Sequence, residues 1–225
     1  MNDKIFHSSL TRITDFERAG FDQRPLPREQ WAAGDYVVGT ATIPRGGLSA
    51  VELTTGRIVE AVDRDMVLGA LGVRHATLEA VGSWEAVSAD GRMHLLSAGG
   101  LLGRLTSVSG MLASPMRIEY AGHAIRNGTK LQMQDFAQVP TKAQHYAVPT
   151  IVIVGTSMSA GKTTSAKVIV RQLKRAGHRV VGTKLSGAGR FRDILAMKDA
   201  GADAVFDFVD VGLPSSILAA VEFRK

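Results

Sequence analysis

The sequence predicts an α/β chain in two parts: an N-terminal small β-barrel or β-sandwich, then a parallel-sheet domain built around a phosphate-binding loop (P-loop) and incomplete at its end. Three observations carry this expectation. Residues 35–136 hold short strand signals broken by glycine. Residues 150–223 alternate apolar strand runs with amphipathic helical ones. The stretch GTSMSAGKTTSAK, Gly155 to Lys167, stands between the first of those runs and the first of those helices.

In the β-rich part DYVVGTATI, RIVEAV, SWEAV, RMHLLS, MRIEYAG and TKLQMQDF read as strands. SWEAVSADGRMHLLS predicts a hairpin turning at Asp90-Gly91, and HAIRNGTKLQM one turning at Asn127-Gly128, because both dipeptides accept the positive φ of a tight turn. SAGGLLGRLTSVSG, Ser97 to Gly110, lacks a following amphipathic helix, so its glycines read as bends in barrel strands rather than a dinucleotide fingerprint. AQVPTKAQHYAVP, with two prolines and no apolar period, reads as a linker. The division expected is an N-terminal segment 1–34, a β-rich domain 35–137, a linker 138–149 and a second domain 150–225.

The second part opens with TIVIVG, an unbroken apolar run of the kind buried on both faces of a parallel sheet. Ala166, Ile169, Val170 and Leu173 then fall on one helical stripe that Gly177 stops. RVVGTK reads as a strand, FRDILAMKDAGA as a helix stopped at Gly201, AVFDFVD as a third strand, and SSILAAVEF as a helix opened by Pro214. Strand and helix alternating in this way argue for a parallel sheet.

A buried strand that delivers a small-residue loop to a helix N-terminus is what phosphate recognition requires. Backbone N–H groups converge on the oxygens and the helix adds its positive end. The expected cradle is Gly155, Thr156, Ser157, Met158, Ser159, Ala160, Gly161, Lys162, Thr163 and Thr164, with Lys162 reaching the β- and γ-phosphates and the Thr163 hydroxyl binding Mg²⁺. The expected ligands are ATP and Mg²⁺.

Five residues separate Gly155 from Gly161, and this spacing resembles the G-T-x-T-x-x-G-K-T loop of dethiobiotin synthetase and its relatives among the SIMIBI-type P-loop ATPases. The likeness continues in G-T-K-L-S-G, Gly182 to Gly187, similar to that family's G-x-K-P-x-x-S-G stretch, and in FRDIL. The resemblance implies that Lys184 contacts substrate and that Asp193 serves the Mg²⁺ site. It covers about residues 150–210. Ser157 stands where the family loop has an acid, and Leu185 where its second strand has a proline.

A further metal-side acid is expected at a strand tip, and AVFDFVD offers Asp207 and Asp210. Asp210 is favoured because ligands of open α/β sheets gather at the carboxyl ends of strands. The competing reading makes both acids outward-facing residues of an edge strand, and gives Asp193 the ordinary role of an acid in a helix's first turn. Arg190 and Arg192 either hold a substrate carboxylate or γ-phosphate, or are simply solvated. Six scattered histidines show no ligand spacing, and Trp31 and Trp84 read as core or inter-domain anchors.

Composition sets the outer limits. The chain of 225 residues is 45% hydrophobic and 21% charged, with no long polar tract, which describes a globular protein. It contains no cysteine, which excludes disulfides, iron–sulfur ligation and thiol catalysis. No membrane-length apolar run or leader-like start is visible, so a cytoplasmic location without membrane association is expected. Residues 1–148 hold 15 Lys+Arg and 15 Asp+Glu, whereas residues 149–225 hold 12 and 6, so the whole +6 belongs with the glycine-lysine loop. That bias suits a polyphosphate ligand, while the neutral β-rich part argues against nucleic acid.

From Gly155 to Lys225 there are 71 residues, fewer than a parallel-sheet domain of this type commonly uses. The sequence therefore predicts either a fragment of a longer protein or a homodimer whose partner copy completes the sheet, and weak nucleotide binding by this chain alone. Two functions follow: an ATP-dependent ligase or kinase acting on a small molecule, with Lys162 and Lys184 as the catalytic residues, or a nucleotide-controlled regulatory module whose β-rich domain holds a protein partner.

Overall fold

The computed structural model describes residues 4–76, 78–139, 147–156 and 160–218. Its strands in chain order are β1 (Ile5–His7), β2 (Asp22–Arg24), β3 (Tyr36–Thr42), β4 (Ala50–Glu52), β5 (Ile58–Glu60), β6 (Met66–Leu71) and β7 (Val73–Ala76). They continue with β8 (Ala80–Ser83), β9 (Arg92–Ser97), β10 (Leu101–Val108), β11 (Arg117–Arg126), β12 (Thr129–Lys130), β13 (Val181–Lys184) and β14 (Ala204–Asp207). The α-helices are α1 (Phe16–Ala19), α2 (Lys162–Arg175) and α3 (Phe191–Asp199).

Ten strands make one mixed sheet. In it β6, β3, β11, β9 and β10 are successive neighbours, and β10 pairs back onto β6 in parallel through Leu101–Ala70 and Leu102–Leu71, which closes the ring. Alternate side chains leave a strand on opposite faces. Val37, Val67, Leu71, Met93, Leu102 and Ile118 accordingly share one core. Tyr36, Val38, Leu68, Ala70 and Leu101 share another, roofed by Leu10, Phe16, Met133, Phe208 and Val209. This double burial explains why β3 and β6 read as apolar runs rather than as alternating ones.

The start of β3 is held by a polar network. The fully buried Asp35 carboxylate accepts hydrogen bonds from Ala32 N–H (2.7 Å), Lys130 Nζ (2.9 Å), Gln132 Nε2 (2.5 Å) and His123 Nε2 (3.2 Å). Tyr120 Oη accepts from Leu26 N–H at 3.0 Å and lies 2.5 Å from His123 Nδ1.

The expected parallel-sheet P-loop domain is not what the chain forms. Among the described residues TIVIVG, residues 150–155, forms no strand, and Ile151 and Val154 are 60% and 85% exposed. Among the described residues after 150, parallel pairing is confined to one strand–helix–strand unit, β13–α3–β14, in register from Val181–Ala204 to Lys184–Asp207. Residues 214–218 hold no helix, and the rest of the expected last helix lies outside the described residues. An apolar run states a demand for burial without naming a neighbour. Here Phe208 and Val209 follow β14 into the core of the large sheet, so the third strand stops at Asp207.

Two smaller expectations also change. SWEAV forms a turn after β8 rather than a strand, and β8 pairs with β10 instead of making a hairpin with β9. The Asn127-Gly128 turn does join paired strands, β11 and β12. Helices α2 and α3 bury a small core of their own around Val170, Val180, Ile194 and Met197. Among the described residues no helix is long and apolar enough to cross a membrane.

Candidate functional site

The glycine-lysine loop meets the large sheet across a cavity of about 590 Å³, within the usual range for small-molecule sites. One wall comes from the start of α2, the end of β13 and the start of α3. It carries Lys162, Thr163, Thr164, Lys184, Arg190 and Asp193. The facing wall belongs to the sheet, with Arg74 on β7, Ser97 at the end of β9, and Leu48 and Met116 beside them.

Helix α2 begins at Lys162 because Gly161 turns the chain with φ 82°, a left-handed conformation that favours glycine. The N-cap Gly161 offers no side chain to this end and the first turn holds no acidic residue, so the helix presents its first amides and its positive dipole end toward the loop. Gly155 also meets a steric demand. A Cβ there would stand 2.9 Å from Lys162 Cγ and 3.1 Å from Cδ, so the lysine stem lies directly against the glycine. Thr156 and Ala160 belong to the described part of the loop, while Ser157, Met158 and Ser159 lie outside the described residues.

Lys184 and Asp193 share this cavity as an ion pair. Lys184 Nζ donates to Asp193 Oδ2 at 2.5 Å and to the Ala188 carbonyl at 2.8 Å. Asp210 lies elsewhere, outside the cavity lining. Arg12 Nη2 donates to Asp207 Oδ1 at 2.6 Å and to Asp210 Oδ1 at 3.2 Å, and Asp210 Oδ2 accepts from Asp207 N–H at 2.7 Å. Burial pushes the Asp207 carboxyl above the ordinary carboxylate range against the pull of Arg12.

Of the residues expected to face Mg²⁺, Thr163 and Asp193 therefore line the cavity and Asp210 does not. Among the described residues no group of three or more histidines and carboxylates could hold a metal alone. One hydroxyl and one carboxylate nevertheless fit Mg²⁺, which keeps several waters and takes its remaining ligands from substrate phosphates.

Helix α3 is fixed by a residue far away in the chain. Glu52, at the end of β4 and fully buried, accepts from Phe191 N–H (2.8 Å), Arg192 N–H (3.1 Å) and Ser9 Oγ (2.7 Å). A carboxylate at this helix end satisfies two amides and complements the dipole. Sequence reasoning missed Glu52, Arg12, Arg74 and Ser97: Glu52 and Arg12 act through partners distant in the chain, Arg74 and Ser97 reach the cavity through the topology of the sheet, and none of the four carries a local motif.

No protein-family model, no curated protein and no solved structure matches the chain.

Proposed function

We propose that the cavity binds the phosphates of ATP and that the protein is an ATP-dependent ligase or kinase acting on a small molecule. The observation that carries this reading is the convergence of Lys162, Thr163, Lys184 and Asp193 on one cavity, beside the start of α2. Lys162 neutralises β- and γ-phosphate oxygens, and the first amides of α2 hydrogen-bond them. Lys184, oriented by Asp193 and the Ala188 carbonyl, positions the acceptor. Thr163 and Asp193 would hold Mg²⁺, which supplies charge neutralisation on the phosphates when bound. Such chemistry depends mainly on positioning and electrostatics. The resemblance of the loop to that of dethiobiotin synthetase agrees with the reading, and we place the protein in the cytoplasm. The zero net charge of residues 1–148 disfavours nucleic acid as a partner.

The test is ATP hydrolysis with and without a panel of small acids, using Lys162→Ala and Lys184→Ala proteins. Lys162→Ala is expected to lower turnover by about 100-fold or more, and Lys184→Ala to remove the stimulation by acids. Turnover that persists in Lys162→Ala protein overturns the reading. Turnover that ignores acids and answers to a protein partner favours a nucleotide-controlled regulatory module instead.

A further inference from the structure

The cavity holds polar groups, on both of its walls, that the described residues leave without partners. The half-buried Arg190 lines the cavity, and its guanidinium makes no hydrogen bond or ion pair among the described residues; its Nε is buried. Ser97, 6% exposed, lines the same cavity, and its Oγ has no partner among the described residues. Arg74 is the third member. It pairs with Glu79 and donates to the Leu96 carbonyl, yet its Nε is also buried and unpartnered. An unpaired buried polar atom is costly, and a chain seldom carries three around one cavity without a use. Two of the three belong to guanidiniums, which repel each other and match the planar fork of an oxyanion. Burial, with the Arg190 charge adding to it, draws the Arg74 guanidinium below its ordinary range in spite of Glu79.

We propose that Arg190, Arg74 and Ser97 form an oxyanion subsite, distinct from the lysine loop, that takes a carboxylate of the acceptor or the terminal phosphate of the nucleotide. An oxyanion there relieves the repulsion between the two arginines and supplies acceptors for donors that have none. The glycine-rich run Ser186–Gly189 leads directly into Arg190, and Glu52 fixes the helix end beneath it, so the guanidinium is carried on a held backbone. Arg192 is exposed and does not line the cavity, which separates the two arginines that the sequence left equivalent.

The subsite deepens the proposed function and rests on it for the identity of the nucleotide, but not for the binding of an oxyanion. The experiment is calorimetric titration with malonate, ATP and ADP in turn, on wild-type, Arg190→Gln, Ser97→Ala and Lys162→Ala proteins, each first checked for an unchanged circular dichroism spectrum. Arg190 has no partner to lose, so Arg190→Gln is expected to fold. A loss of tenfold or more in malonate affinity in Arg190→Gln, with ATP and ADP unaffected, supports the subsite and identifies the source as an acceptor carboxylate. A tenfold loss for ATP but not ADP supports it with the terminal phosphate as the source. Affinities within twofold of wild type for all three ligands in both Arg190→Gln and Ser97→Ala overturn it. Malonate binding that survives Lys162→Ala while ATP binding also survives overturns the nucleotide reading alone and leaves the subsite standing.

Discussion

Asp35 shows how far a single buried carboxylate can depend on its donors. Burial alone raises its pKa, but hydrogen bonds from His123, Lys130, Gln132 and Ala32 N–H outweigh that and hold it below the ordinary carboxylate value. A group with a lowered folded-state pKa contributes stability that is present above its unfolded pKa and lost as pH falls through the folded one. Asp207, raised by burial, has the opposite sign, its contribution being complete below the ordinary value and lost as pH rises through the raised one. Urea unfolding from about pH 6 down to about pH 2 separates the two. Asp35→Asn protein is expected to be less stable by about 1–3 kcal/mol at pH 6, with a shallower decline toward acid than wild type. Parallel declines in the two proteins would show that Asp35 is not the acid-sensitive group.

At the level of elements, legibility followed locality. RMHLLS, DYVVGTATI and the Asn127-Gly128 turn carry their own pairing chemistry, and β9, β3 and the β11–β12 hairpin stand where they were read. Helices α2 and α3 were also visible, α2 through its apolar stripe and both through the glycines that end them. TIVIVG, by contrast, offered only hydrophobicity, and hydrophobicity does not name a strand partner. The candidate site divides in the same way. Lys162, Thr163, Lys184 and Asp193 belong to short motifs and could be singled out, whereas the opposing wall is assembled by topology from residues distant in the chain. Gly155 joins the two kinds of information, since its spacing was readable and its reason is the lysine stem against it. Gly155→Ala should push that flexible stem aside without unfolding the protein. The expected result is roughly tenfold weaker ATP binding, about 1.4 kcal/mol, at an unchanged melting temperature. An unaltered affinity by calorimetry would remove Gly155 from the site.

The whole molecule is bound together more tightly than a two-part sequence suggests. Arg12, 6% exposed along its side chain, is paired with Asp207 and Asp210 and lies over the Phe191 ring at 4.8 Å. It ties the N-terminal segment to the end of β14 and the start of α3. Removing the cation strands two carboxylates, one fully buried, and losing a buried partner of this kind costs about 3–5 kcal/mol. Both tryptophans, Trp31 and Trp84, lie against the core of the large sheet, while α2 and α3 dominate the helical signal. Wild-type protein should therefore lose tryptophan fluorescence and helical circular dichroism in one coincident denaturant transition. Arg12→Met should bring the helical transition forward, ahead of the fluorescence. Separate transitions already present in the wild type would contradict this coupling.

The cap that Glu52 places on α3 has a consequence for how the molecule opens. The amides of Phe191 and Arg192 are satisfied by a side chain 139 and 140 residues earlier in the chain, not by their own helix. Their exchange with solvent deuterium is thus governed by the fraying of β4 and of Ser9 as much as by α3 itself. Two neighbouring protons beside the cavity become reporters on a strand that does not touch them through the backbone.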